Sequence, residues 1–138
     1  MQIASKEISA QIEQIIAGAS KLDVDAAMKP YLNDLNFRIV NPDGSIQNYE
    51  AMRKSAEEAF KTFKSLKYST VKQNFTFVAP DSVICTWTGI YEFELKDGTR
   101  MKIEPYVGSM LFRRVGSEWK IIYAHETTGQ PAEVAKQK

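Results

Sequence analysis

Residues 83–127 read VICTWTGIYEFELKDGTRMKIEPYVGSMLFRRVGSEWKIIYAHET, and this stretch decides the fold. Apolar and polar side chains alternate through most of it, the period-two pattern of half-buried strands. Two dipeptides interrupt it, Asp97-Gly98 and Gly116-Ser117, and both suit tight hairpin turns. Pro80-Asp81 provides a third break just upstream. The predicted strands are Tyr68–Ala79, Val83–Lys96, Thr99–Val115 and Glu118–Thr127.

Before Tyr68 the apolar period is helical. Ile8, Ile12, Ile15, Ile16 and Ala19 form one stripe and predict a helix over about Ser5–Ser20. Asp23 suits the N-cap of a short second helix carrying Val24, Ala27 and Met28, which Pro30 ends. Leu35–Val40 is a short apolar-rich run, and Asn41-Pro-Asp-Gly44 is a turn. A third helix follows, with Tyr49, Met52, Ala56, Ala59, Phe60 and Phe63 on one face and Arg53, Lys54, Glu57, Glu58, Lys61 and Lys64 toward water. Helices first and a strand meander afterwards give an α+β fold. Gly129–Lys138 is polar, contains Pro131 and reads as a frayed tail.

The 138 residues suit a single domain, 1–138, with an ordered core of about 5–129. With 18 basic and 17 acidic residues the net charge is +1, and the basic residues are scattered. That balance predicts neither nucleic acid nor a membrane as partner. A single cysteine, Cys85, excludes an intrachain disulfide and a thiolate metal cluster, and it reads as a buried strand residue. One histidine without a close acidic cluster predicts no metal site. There is neither a phosphate-binding glycine loop nor a nucleophile elbow, and no cofactor is expected. No apolar run is long enough for a membrane helix, and Met1–Lys6 lacks a signal-peptide pattern. The expectation is cytoplasmic, with a secreted origin left open if a leader was removed.

The turns set the strand registers. With Lys96 facing Thr99 across Asp97-Gly98, Tyr91 pairs with Glu104, Gly89 with Tyr106 and Trp87 with Gly108. With Val115 facing Glu118 across Gly116-Ser117, Phe112 pairs with Ile121, Met110 with Tyr123 and Gly108 with His125. Directly opposed residues share a face. One face then carries Cys85, Trp87, Tyr91, Phe93, Glu104, Tyr106, Gly108, Met110, Phe112, Trp119, Ile121, Tyr123 and His125. Trp87, Gly108 and His125 form a row that opens at the glycine, the makings of an aromatic hollow for a small hydrophobic or aromatic ligand. The other face carries Ile84, Ile90, Ile103, Val107, Leu111 and Ile122 among Thr86, Thr88, Glu92 and Glu94, and predicts a homodimer surface. Pro105 allows a bulge beside Glu104, and a one-residue slip turns every assignment over.

This order of elements resembles the nuclear transport factor 2-like superfamily. The closing stretch Gly116-Ser-Glu-Trp-Lys-Ile-Ile-Tyr-Ala-His125-Glu-Thr-Thr-Gly129 is similar to that family's final-strand pattern of Trp, an aliphatic residue two on, and a late His. The resemblance spans about Ser5 to Gly129. It implies a cystatin-like cone, with the N-terminal helices packed in the concave face of a curved antiparallel sheet. It also implies either a small SnoaL-like or ketosteroid isomerase-like protein or one of the family's non-enzymes. The single His does not supply the histidine pair of scytalone dehydratase, nor are the isomerase's Asp base and Tyr/Asp pair matched.

Chemistry is expected around His125, since imidazole is a natural acid or base near neutral pH. Glu104 is its expected partner, because strand parity turns Glu126 away. Tyr91, Tyr106 and Tyr31 are candidate donors to a developing oxyanion, and Trp87, Met110 and Tyr123 complete the ligand-binding set. The expected activity is proton transfer on a carbonyl compound by a cofactor-independent isomerase, cyclase or dehydratase. The alternative is a non-catalytic dimeric scaffold whose hollow is filled.

Overall fold

The computed structural model describes residues 2–134. Helix α1 (Gln2–Ser20) buries Ile8 and Ile12, and α2 (Val24–Met28) starts where the Asp23 side chain accepts the Ala26 N–H at 3.1 Å. The two helices cross closely at Gly18, where an added Cβ would lie 2.4 Å from the Ala27 nitrogen. Strands β1 (Arg38–Val40) and β2 (Ile46–Gln47) flank the Asn41–Gly44 turn. Asn48 then caps α3 (Tyr49–Thr62), accepting the Ala51 N–H at 2.9 Å. The α3 stripe is half-buried, with Tyr49 and Met52 against the main core and Ala59 and Phe60 against a smaller cluster.

The long strands are β3 (Phe63–Ala79), β4 (Ser82–Leu95), β5 (Arg100–Val115) and β6 (Glu118–Thr128). β3 starts five residues earlier than the alternation predicts, because Phe63 leaves the helix to pair with Leu95. The sheet order is β2-β1-β6-β5-β4-β3, with α1 packed across its inner face. The sheet is not wholly antiparallel as expected: β1 runs parallel to β6, with Ile39 opposite Ala124. These two strands are remote in sequence, and no tight hairpin forces an antiparallel pair.

The expected frayed tail begins as structure. β7 (Ala132–Glu133) pairs with Met101 and Lys102 of β5, and the Val134 N–H donates to the Arg100 carbonyl at 2.8 Å. The rest of that predicted tail, 135–138, lies outside the described residues.

The main core joins Ile8 and Ile12 of α1 to Val83, Cys85, Trp87, Met110, Phe112, Ile121 and Ala124 of the sheet. Cys85 is fully buried, and burial pushes its thiol up to about 12, the state of an inert core residue. Among the described residues no helix is long and apolar enough to cross a membrane.

Candidate functional site

The β4–β5 register holds at its centre. Trp87 faces Gly108 and Gly89 faces Tyr106, as the hairpin arithmetic requires. Toward the turn the pairing slips, with Tyr91 opposite Ile103 and Phe93 opposite Met101. The turn is one residue longer than assumed, and the Glu104-Pro105 bulge opposite Ile90 absorbs the difference. Glu104 therefore leaves the inner face. It is exposed and lies 3.2 Å from the Lys102 ammonium. Ile103, expected outside, pairs with Tyr91 on the inner side.

The β5–β6 register breaks where the site lies. Phe112 faces Ile121 as expected, but Leu111 faces Tyr123, and Ile122 is left over as a bulge. From there on every side chain is turned over. Ser109 faces His125, Gly108 faces Glu126 and Met110 faces Ala124. His125 and Tyr123 consequently lie on the outer face, both exposed, and neither joins the hollow. The row anticipated as Trp87–Gly108–His125 is Trp87–Gly108–Glu126.

Around that row lies a cavity of about 70 Å³, open on one side. Trp87, Tyr106, Gly108, Met110, Ala124 and Glu126 line it from the sheet, and Tyr68 from β3. Ile12, Ile15 and Ile16 close it from α1, and Tyr31, which follows Pro30, closes the end. Of the predicted ligand-binding residues, Trp87, Tyr106, Tyr31 and Met110 meet here. Tyr91 is behind the wall, stacked on Tyr68 with ring centroids 4.4 Å apart. The indole N–H of Trp87 donates to Thr70 Oγ1 at 2.9 Å, which fixes its ring. Among the described residues, no three His, Cys, Asp or Glu side chains gather where a metal ion could be held.

The polar centre is one hydrogen bond. Tyr106 Oη donates to Glu126 Oε2 at 2.6 Å, a short charge-assisted length. Burial raises the Glu126 carboxyl above its ordinary range, and the Tyr106 hydroxyl offsets part of that rise. Burial likewise raises the phenols of Tyr106, Tyr68 and Tyr31, with the Glu126 charge adding to each. Tyr91 is pushed up to about 12, mainly by burial. The phenols therefore stay neutral at physiological pH, and Glu126 is the one carboxyl among the cavity's lining residues.

Sequence reasoning passed over Glu126 and Tyr68. Glu126 was excluded by parity, which one bulge reverses. The available signal was the adjacent pair Ile121-Ile122, which breaks the alternation just where the bulge sits. Tyr68 was hidden because Pro80-Asp81 left the β3 register unset.

The SnoaL-like domain family matches this chain over residues 8–129. Among solved structures, a candidate scytalone dehydratase from Novosphingobium aromaticivorans superposes with a TM-score of 0.86 at 9% identity, covering 99% of this chain and 91% of that one. A candidate dehydratase of the NTF2-like family from Streptomyces avermitilis gives 0.80 at 13% identity, covering 94% and 99%. An uncharacterised protein with a cystatin-like fold from Caulobacter vibrioides gives 0.75 at 18%, covering 91% and 89%. At these identities the likeness is one of fold. No curated protein matches the sequence.

Proposed function

Because the chain belongs to the SnoaL-like domain family, within the cystatin-like NTF2 fold, we propose that its hollow binds a small organic molecule and that Glu126 exchanges a proton with it. The reaction class is that of a cofactor-independent isomerase, cyclase or dehydratase. The observation that carries this reading is the Glu126–Tyr106 pair in the wall of an aromatic cavity. A carboxyl raised by burial is better suited to taking and returning a proton than one at its ordinary value. Tyr106 orients it, and the neutral phenols of Tyr68 and Tyr31 lie near enough to steady charge that develops on the ligand. Two of the similar folds are described as candidate dehydratases, which supports the class without naming a substrate.

The test is a thermal-shift screen of small cationic, neutral and anionic organic compounds on the wild type and on Gly108→Val. An added Cβ at Gly108 meets nothing within 4 Å, so the variant fills the cavity and keeps the fold. Compounds that stabilise the wild type and not the variant support the site. Stabilisation of both to the same extent, or of neither, sinks it. Turnover of any hit should then fall by about 10²–10⁴ in Glu126→Gln.

A homodimer through the outer sheet face remains the proposed assembly. Thr86, Thr88, Ile90, Val107 and Leu111 on that face are half-buried and form a mixed apolar surface. A purely non-catalytic scaffold gives no reason for an unfilled cavity with a carboxyl in its wall, and the cavity favours the ligand-binding reading.

A further inference from the structure

We propose that the hollow selects a small protonated alkylamine, with its alkyl groups against the rings of Tyr31, Tyr68, Trp87 and Tyr106 and its N–H directed at Glu126 Oε1. This rests on the reading of the hollow as a ligand site and names the chemistry that site recognises.

The wall contains aromatic rings and one carboxyl, with no Lys, Arg or His among its lining residues. An anion would meet the Glu126 carboxylate and no compensating cation. A neutral carbonyl compound needs a donor; the Tyr106 hydroxyl is already given to Glu126 Oε2, so only the phenols of Tyr31 and Tyr68 could serve it, whereas a cation pairs with the carboxyl itself. Among the described residues none donates to the other carboxyl oxygen, Oε1, and Glu126 is part of the cavity wall. The wall thus offers an acceptor, and the matching ligand is a donor. The Tyr31 hydroxyl can donate or accept and does not discriminate.

The rings favour the same choice. The negative faces of Trp and Tyr attract alkylammonium groups, most strongly where water is displaced. Trp87 is buried to 5% exposure, and its ring centroid lies 6.0 Å from that of Tyr68 and 6.3 Å from that of Tyr106. Size agrees. A cavity of about 150 Å³ takes up benzene, and this one is roughly half that, which suits about three or four heavy atoms. The titratable groups that feel the Glu126 charge are Tyr31, Tyr68 and Tyr106 in the wall and Tyr91 behind it, while α1 lines the cavity with isoleucines only. A bound cation would therefore be the one positive charge in the hollow and would draw Glu126 into its carboxylate form.

Trimethylammonium chloride, acetone and sodium acetate are similar in size and differ in charge. NMR titrations of the full chain with each, at matched ionic strength, compare them on the wild type and on Glu126→Gln. The expected result is saturable shifts at cavity residues with trimethylammonium at least tenfold tighter than acetone, none with acetate, and a tenfold or greater loss in Glu126→Gln. Acetone binding as tightly as the cation overturns the cation selectivity and leaves the ligand site standing. No saturable shift in the cavity with any probe overturns both. Calorimetry of the wild type at a series of pH values from 4 to 8, in two buffers of different ionisation enthalpy, gives a readout independent of the variant's folding. Trimethylammonium should displace a proton from Glu126 where the free carboxyl is protonated, and binding without proton release across the whole series overturns the proposal.

Discussion

Tyr106 and Glu126 meet diagonally across two strands: Tyr106 is opposite Thr128, Glu126 is opposite Gly108, and the phenol reaches past the glycine to the carboxyl. Such diagonal neighbours share a face and come within reach of a long aromatic side chain. The missing side chain at Gly108 leaves the space in which their hydrogen bond borders the cavity.

That bond and the burial of Glu126 predict a pH dependence of stability. The folded carboxyl is raised above its ordinary value of 4.5, so the native state holds its proton more tightly than the unfolded chain. Stability from this group is fully present below about 4.5 and is lost as pH rises toward the folded value. Urea titrations from pH 4 to 8 should show the wild type losing stability relative to Glu126→Gln on rising through that window. A constant difference between the two across the range would refute the burial of the carboxyl.

The two inner-face glycines should respond in opposite ways. A Cβ at Gly89 would lie 2.2 Å from the Trp87 ring and 2.3 Å from the Ser69 carbonyl. Gly89→Ala should cost about 1–3 kcal/mol or more, the range for overpacking. Gly108→Ala should stay within about 0.5 kcal/mol, since the added methyl enters open space. It should nonetheless weaken binding of any cavity ligand at least tenfold. Chemical denaturation and ligand titration of both variants check this.

His125 offers a direct test of the strand register. It is exposed on the outer face, opposite Ser109. His125→Ala should change stability by less than about 0.5 kcal/mol and leave ligand binding as it was. A tenfold loss of binding in this variant would mean that the Ile122 bulge is wrong and the uninterrupted register right.

The outer face predicts assembly. Sedimentation equilibrium should return twice the 15.6 kDa chain mass at micromolar concentration. Val107→Glu puts a charge at the middle of that face and should give a monomer with its cavity intact. A wild type that is monomeric across that range removes the proposed dimer.

The sequence by itself determined the elements, because their signals are local. A 3.6-residue apolar stripe makes α1, Asp23 caps α2, and Asp97-Gly98 and Gly116-Ser117 turn the chain. It also carried Trp87 to Gly108 correctly, since a longer turn and the Glu104-Pro105 bulge cancel. Only the tertiary structure decided which face the end of β6 presents. One unpaired residue, Ile122, exchanges His125 for Glu126, because side chains alternate along a strand and a single insertion inverts all that follow. The bulge lets Ile121 and Ala124 both face the core and turns the Glu126 carboxyl into the hollow beside Tyr106. The adjacent Ile121-Ile122 pair marks a break in the alternation, but which side of it faces the core depends on packing between the strands and α1.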